Sequence, residues 1–249
     1  MARKARGKQR RKPRVGLLRR LFQLAALVVL LGLIYAAWFW FDMRSWRPDP
    51  ALYPEQGAVI ASGAPGVRFE TLRAVGAQFV YLELPPEDGA GDAGESADPG
   101  FRERFRAARA AGLKVGVVQR FDPCRRADPQ SQRFALAVAR DPDLLPPALE
   151  LTRLPDSCEE RVSEAAVTSE VLTLVNQIEM HAGQPVILKL GEAFENRLGI
   201  ANALGRDLWL MRDRSPPRYA GRPWLLWSAN SQLVTEGAAE PLEWVVVQR

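Results

Sequence analysis

The sequence is poor in the residues that most metal and nucleophilic sites require. Its 249 residues include one histidine, His181, and two cysteines, Cys124 and Cys158. The cysteines lie too far apart for a CxxC pair, and a single histidine leaves almost nothing for a zinc site or a Ser-His-Asp triad. We therefore predict no metal and no cofactor. His181 falls in the last turn of a predicted helix, where a cation near the C-terminus is an ordinary structural choice.

Acidic residues are missing from residues 1–20, which hold ten of the 34 Lys and Arg side chains. The rest of the chain carries 24 basic and 29 acidic side chains, a net charge of −5, so the basic character belongs to a tail. The folded part therefore gives no ground for nucleic-acid binding, and we predict none. A role of the tail in binding nucleic acid or anionic lipid stays open, although membrane topology alone explains its charge.

Charged residues are also missing from residues 21–41, LFQLAALVVLLGLIYAAWFWF, which are long enough to cross about 30 Å of hydrocarbon as a helix. We predict a single membrane span there. A cleaved signal peptide is the weaker alternative, because the run exceeds the usual apolar core of ~7–15 residues and no small-x-small cleavage site follows it. Trp38, Trp40 and Trp46 crowd its far end, as in an interfacial belt, and the basic tail predicts a cytoplasmic N-terminus. Residues 42–56, with three prolines, predict a short extended linker that carries the domain clear of the membrane.

From residue 57 onwards, apolar strand patterns alternate with helical ones. The predicted strands are 57–61, 79–84, 113–119, 148–152, 185–190, 207–211, 224–227 and 244–247. The alternation, with a strand-rich last third, predicts an α/β fold: an irregular (β/α)8-like barrel of the TIM type over residues 57–249. An open doubly wound sheet is the alternative. Residues 192–204 are predicted as one helix, and residues 85–100 as a long loop that is a surface element or part of a binding face.

The central strand contains the most unusual residue of the chain. Pro146 and Pro147 lead into an apolar run typical of a strand buried on both faces, with the carboxylate Glu150 in its middle. A buried carboxylate needs a partner, and in barrels the carboxyl ends of the strands form the site. Because side chains alternate along a strand, Glu150 and Thr152 should face the same way. Glu150 is therefore the candidate catalytic residue.

Several short motifs follow one another along the chain: Phe-Val-Tyr-Leu at 79–82, Asp98-x-x-Phe101, Ala-Gly-Leu at 111–113, Gln130-x-x-x-Phe134, Leu-Pro-Pro at 145–147, Leu208-Trp209 and Trp224-x-x-Trp227. In their order and spacing they resemble glycoside hydrolase family 25, the lysozyme-like muramidases that cut the glycan of bacterial cell walls. The resemblance covers about residues 57–248. The resemblance implies a barrel of five βα units closed by extra strands, and peptidoglycan glycan as the ligand.

The departures from the family pattern fall on the expected site. The resemblance implies an acid in the first strand, where this chain has Val59, and an Asp-x-Glu pair in the central strand, where it has Glu150 and Thr152. A Tyr-His-Phe motif aligns with Val-Gln-Arg at 118–120, and a late Val-Asp pair with Leu-Glu at 242–243. The degenerate site positions are therefore Val59, Thr152 and Gln119, and the possible glycan-binding residues are Glu83, Trp227 and Glu243.

Glycosidic cleavage needs one carboxylic acid that protonates the leaving oxygen and a second carboxylate opposite it, and Thr152 cannot supply that proton. Three hypotheses follow. The first is a membrane-tethered domain that binds peptidoglycan glycan or an envelope protein and hydrolyses poorly. The second is an active muramidase that has recruited Glu150 and Glu83, and the third is a structural envelope protein that kept only the barrel. We expect a bacterial inner-membrane protein, with lipid around residues 21–41 and the C-terminal domain in the periplasm.

The two cysteines each follow the end of a predicted strand. Loops after consecutive parallel strands of a barrel lie side by side, and an oxidising compartment permits a disulfide. We therefore predict a bridge between Cys124 and Cys158, which a Cα–Cα distance above ~7 Å would rule out.

Overall fold

The computed structural model describes residues 15–85 and 99–248, with side chains for residues 19–85 and 100–248. The first fourteen residues of the basic tail and most of the predicted loop 85–100, including Asp98, lie outside the described residues. The helices are α1 Val15–Ser45, α2 Phe69–Ala74, α3 Pro99–Ala110, α4 Ala127–Ala137, α5 Glu164–Ala182, α6 Glu192–Leu198 and α7 Ile200–Leu204. The strands are β1 Gln56–Ile60, β2 Phe79–Glu83, β3 Lys114–Arg120, β4 Ala148–Leu151, β5 Ile187–Leu190, β6 Leu208–Met211, β7 Leu226–Leu233 and β8 Leu242–Val247.

The eight strands close into a barrel in chain order. Every pair from β1–β2 to β6–β7 is parallel, whereas β8 runs antiparallel to both of its neighbours, β7 and β1. The predicted α/β barrel is therefore confirmed, and the open sheet is wrong. The helix predicted over residues 192–204 is two helices, because Gly199 adopts a left-handed conformation with φ of 61° and ends α6.

Large aromatic side chains fill the barrel interior. Tyr81 and Trp209 meet edge to face with ring centroids 4.9 Å apart, inside a buried cluster that lines the barrel axis. Gly116 on the neighbouring strand makes room for this pair, since a Cβ atom there would lie 2.3 Å from the Tyr81 ring. The interior is a packed core, as in other eight-stranded barrels, so any ligand must bind at an end of the barrel.

Helix α5 shows how the outer layer is encoded. Its side chains at helical spacing are buried against the strands: Val167, Val171, Leu174, Val175 and Ile178. The hydroxyl of Ser163 accepts the Ala166 N–H at the start of this helix, and Gly183 ends it with φ of 70°. These local signals agree with the predicted helix.

Helix α1 contains a segment, Arg19–Ser45, that is long and apolar enough to cross a membrane, with a mean hydropathy of 2.3 in its most apolar window. Its large apolar side chains, from Leu21 to Phe41, are exposed. This is the pattern of a candidate membrane span, since the buried helix of a soluble protein hides such side chains in its core.

Residues 44–56, which we call the connecting segment, pack against the barrel. The carbonyl oxygen of Arg44 accepts the backbone N–H of Val234 at 2.8 Å, and that of Trp46 accepts the side-chain amide of Asn230 at 2.8 Å. The Trp46 ring also packs on an aromatic side chain of β7, at a centroid distance of 6.4 Å. Polar contacts thus fix much of the linker predicted for residues 42–56 to the barrel. The segment is not extended throughout, because it turns at residues 49–53, where the N–H groups of Leu52 and Tyr53 donate to the Asp49 carbonyl oxygen.

Candidate active site

Polar side chains from six strands converge at the end of the barrel where the parallel strands terminate, which we call the mouth. Side chains alternate between the interior and the helix layer, so the last inward-facing positions of β2 to β5 reach this end. Ser228 of β7 lies level with the last residue of β6, and the antiparallel strand β8 brings Glu243 near its start to the same end. These inward-facing residues are Glu83, Arg120, Glu150, Lys189, Ser228 and Glu243. Ordinary strand periodicity thus concentrates three carboxylates and two cations at the mouth.

Lys189 lies at the centre of this network. Its side chain is fully buried, and its Nζ atom lies 3.0 Å from Glu150 Oε2 and 2.8 Å from Glu243 Oε2. The ammonium group also sits 4.9 Å from the centroid of the Trp209 ring, which adds a cation–π contact. Burial alone would lower the pKa of Lys189, but the two carboxylates more than offset this effect and raise the pKa above its ordinary value. Lys189 is therefore charged at neutral pH.

Arg120 connects Glu150 to Glu83, the remaining carboxylate of the network. Its Nε atom donates to Glu150 Oε1 at 3.2 Å, and its terminal nitrogen lies 3.5 Å from Glu83 Oε1. Burial would raise the pKa of Glu150, yet Lys189 and Arg120 hold this pKa below its usual value. Burial, together with the nearby carboxylates Glu150 and Glu243, raises the pKa of Glu83 despite the same two cations. The environment thus separates the two acids, with Glu150 the more firmly ionised.

Two of the positions at which the family resemblance implies acids, Val59 and Thr152, hold no carboxylate. Val59 is 4% exposed and belongs to the apolar cluster inside the barrel. The hydroxyl of Thr152 donates to Glu150 Oε1 at 3.1 Å, so these two side chains do face the same way. Thr152 therefore supports Glu150 as a hydrogen-bond donor and has no proton of carboxylic acidity to give.

A cavity of about 220 Å³ opens at the mouth beside the first strand. Its walls include Glu83 and Glu243 from the network, and Val59 forms part of an apolar side. Strand β7 contributes Gln232, and the loop between β7 and β8 contributes Glu240. Carboxylate and amide groups beside apolar surface suit a ligand with many hydroxyl groups, because they can both accept and donate hydrogen bonds.

Two of the predicted site residues do not face the mouth. Gln119 lies between two inward-facing residues of β3, points to the helix layer and donates to the carbonyl oxygen of Gln130 at 2.9 Å. Trp227 is 1% exposed, packs on Tyr53 and Trp224 outside the barrel, and donates its indole N–H to the Arg212 carbonyl oxygen. The glycan contact predicted for Trp227 is corrected here, since no sugar can reach this ring without unpacking it. At β3 the residue that reaches the site is Arg120.

Sequence reasoning missed Lys189, Arg120 and Ser228. Lys189 is a lone charge within the apolar strand β5, the same kind of anomaly that singled out Glu150, so the signal was present. Ser228 accepts the indole N–H of Trp209 at 2.7 Å and donates to Glu243 Oε1, and neither contact leaves a mark in the sequence.

A disulfide ties two loops together beside the mouth. Cys124 follows β3 and Cys158 follows β4, and their Cα atoms are 5.3 Å apart with an S–S bond of 2.12 Å. Between the same two loops, an Arg153 guanidinium nitrogen lies 3.0 Å from Asp122 Oδ1. Covalent and ionic links thus restrain the part of the rim that lies next to Arg120 and Glu150. Among the described residues, no group of three or more His, Cys, Asp or Glu side chains could hold a metal ion.

Comparison with known proteins identifies the family. The model of glycosyl hydrolases family 25 matches residues 60–238, and the chain belongs to this family. No sequence among the curated proteins matches it.

Solved structures agree on the fold. A family 25 glycosyl hydrolase from Bacillus anthracis superposes with a TM-score of 0.70 at 19% identity, over 83% of this chain and 93% of that one. A bacterial lysozyme from Streptomyces coelicolor superposes with a TM-score of 0.64 at 16% identity, over 78% of this chain and 92% of that one. A muramidase from Acremonium alcalophilum superposes with a TM-score of 0.63 at 18% identity, over 78% of this chain and 94% of that one. At these identities the likeness establishes the barrel fold.

Proposed function

We propose that this protein is a membrane-anchored, family 25 domain that binds the glycan of peptidoglycan at the barrel mouth and hydrolyses it poorly. Membership of the family and the polar cavity beside Glu83 and Glu243 support a glycan ligand. The loss of hydrolysis rests on one observation, the position of Lys189 between Glu150 and Glu243.

The two carboxylates that contact Lys189 are close enough for glycosidase chemistry. Since both oxygens lie within 3.0 Å of the same nitrogen, they are at most roughly 6 Å apart, and glycosidases separate their two carboxyl groups by about 5–9.5 Å. The ammonium group, however, occupies the space where the glycosidic bond would lie. It also keeps Glu150 ionised, whereas a general acid must hold a proton near neutral pH. The geometry therefore favours a binding site over a catalytic one.

The test combines peptidoglycan co-sedimentation with a cell-wall turbidity assay on the full chain in detergent. We expect co-sedimentation without clearing. Gln232→Trp should abolish co-sedimentation because the exposed Gln232 lines the cavity, while Asn202→Trp, equally exposed at the opposite end of the barrel, should bind normally. Val59→Asp with Thr152→Glu restores the two acids of the family pattern, and weak clearing by this double variant would be consistent with the proposal. Robust clearing by the unaltered protein contradicts it.

An active muramidase is the second candidate, and Glu83 is the residue that favours it. Burial raises the pKa of Glu83, as a general acid requires, and its side chain lines the cavity. If the unaltered protein clears cell walls, Glu83→Gln should reduce the rate by ~10²–10⁴-fold, the usual contribution of general acid catalysis. Glu240→Gln, an exposed acid on the same cavity wall, should leave the rate within about twofold.

We also propose that the C-terminal domain lies in the periplasm, on the basis of the basic tail before the candidate span and the tryptophans after it. A periplasm-dependent reporter fused after Arg249 should be active. Activity of a cytoplasm-dependent reporter at the same position would reverse the orientation.

A further inference from the structure

The connecting segment joins the candidate span to the mouth end of the barrel. Val234, which donates its N–H to the Arg44 carbonyl oxygen, follows directly after the last residue of β7. Because β7 runs parallel to β1–β6, its last residue lies at the mouth. The chain therefore enters the barrel unit beside the candidate site, and then runs along the outside of the barrel to β1 at the other end.

The same contacts hold the wall of the mouth cavity. Gln232 lines the cavity and lies two residues before Val234. Asn230 donates to the Trp46 carbonyl oxygen through its side-chain nitrogen and accepts the Gln232 N–H at 2.9 Å through its side-chain oxygen. One asparagine thus links the connecting segment to a cavity-lining residue. The guanidinium of Arg214 lies 5.7 Å from the Trp46 ring and adds a further contact.

Chain length then limits how far the cavity lies from a bilayer that surrounds the apolar run. The last apolar residue of that run is Phe41, so only two residues separate it from Arg44. Three residue steps span about 5 Å as a helix and at most roughly 11 Å when extended. The polar layer on each side of a bilayer is about 5–7 Å thick. Arg44 is therefore confined to the membrane surface, and Gln232 to within about 20 Å of the hydrocarbon.

We propose that the connecting segment holds the mouth cavity at the membrane surface, and that the preferred ligand is the peptidoglycan saccharide while it is attached to a membrane lipid, ahead of the glycan of the assembled wall. This inference rests on the proposed glycan-binding function and narrows its ligand class. A short fixed connection raises the effective concentration of ligands in the same membrane, and it restricts access to a polymer farther away.

The position of the cavity can be tested without a ligand. In the full chain reconstituted in nanodiscs, a fluorophore on Gln232→Cys should be strongly quenched by lipids that carry a spin label on the headgroup. A fluorophore on Asp207→Cys, an exposed position just before β6 at the opposite end of the barrel, should be quenched much less. Cys124 and Cys158 are joined in a disulfide and should not take up the label. Equal quenching at the two positions would overturn the inference.

The ligand class needs a second measurement. The probe is a dye-labelled N-acetylglucosamine–N-acetylmuramic acid disaccharide, used both free in solution and attached to a lipid in the nanodisc of the protein. Twenty Gly and Ser residues inserted between Met43 and Arg44 should lower binding of the lipid-attached probe by about tenfold or more, since effective concentration falls roughly as the −3/2 power of tether length. The same insertion ahead of Val15 should have no effect.

The outcomes separate this inference from the proposed function. The inference is supported if both insertion variants bind the soluble disaccharide with equal affinity and only the insertion between Met43 and Arg44 weakens binding of the lipid-attached probe. Unchanged binding of the lipid-attached probe after insertion at Met43 refutes it and leaves glycan binding standing. If the unaltered protein binds neither probe, the proposed function fails and the inference fails with it.

Discussion

Replacing Lys189 by methionine tests whether the ion network at the mouth has the charge state that we assign. Methionine keeps most of the side-chain volume but removes the cation that contacts both Glu150 and Glu243. Both carboxylates are largely shielded from solvent, and among the described residues Glu150 alone keeps a cation in direct contact, Arg120. Breaking a buried ion pair by removing one partner typically costs about 3–5 kcal/mol. For a domain of this size, this loss corresponds to a decrease in Tm of roughly 6–20 °C.

The effect should depend on pH in a defined direction. In the unaltered protein the folded-state pKa of Glu150 is below its unfolded value, so its contribution to stability is present above about pH 4.5 and is lost as the pH falls through the folded pKa. In Lys189→Met, Glu150 loses the ammonium group that lowers its pKa, so its folded pKa rises. Protonation of Glu150 then stabilises the variant, so the cost should be largest near pH 7 and should shrink towards pH 4.

The assay is urea unfolding of the full chain in detergent, followed by tryptophan fluorescence at pH 7 and pH 4. A matched control combines Lys189→Met with Glu150→Gln and Glu243→Gln. This triple variant leaves no unpaired charge and should recover most of the lost stability. A cost below about 1 kcal/mol at pH 7 would refute the assigned network, because no buried charge would then have lost its partner. An equal cost at both pH values would point to packing alone.

Two further predictions concern stability. Replacing Cys124 and Cys158 by serine should lower the free energy of unfolding by about 3–4 kcal/mol in the chain-entropy model, for a sequence separation of 34 residues; free labelling of both thiols in the untreated protein would contradict the bridge. Gly116→Ala should cost about 1–3 kcal/mol because its Cβ would overlap the Tyr81 ring, and the added change Tyr81→Leu should recover part of this loss. If the losses in unfolding free energy of the two single variants simply add in the double variant, the two side chains do not compete for space.

The fold could be predicted from the sequence because its signals are local. Alternating apolar runs and helical periodicity located all eight strands, and a period of two placed Glu150 and Thr152 on one face. For β3 and β7, however, the sequence did not predict which side chains point into the barrel. Gln119 and Trp227 each have neighbours that are equally plausible inside a barrel, and only the pairing with adjacent strands decides which side chains point inward.

The site was harder to predict because its chemistry depends on contacts between distant parts of the chain. Lys189 and Glu243 are 54 residues apart and meet only because β5 and β8 face each other across the mouth. The family resemblance drew attention to positions where acids are missing, at Val59 and Thr152. It gave no reason to look for a lysine, so the residue that decides the charge state of the mouth was overlooked.

The antiparallel final strand has a consequence for how the protein is made. β8 pairs with β1 along the register from Gln56–Val246 to Val59–Glu243, so barrel closure joins segments nearly 190 residues apart in sequence. During synthesis the edge of β1 stays open until the last strand has emerged, and such long-range pairing is slow to form. Through this interval the half-barrel exposes an unpaired strand, which invites association with other chains. A chaperone that shields the β1 edge should therefore raise the yield of folded protein.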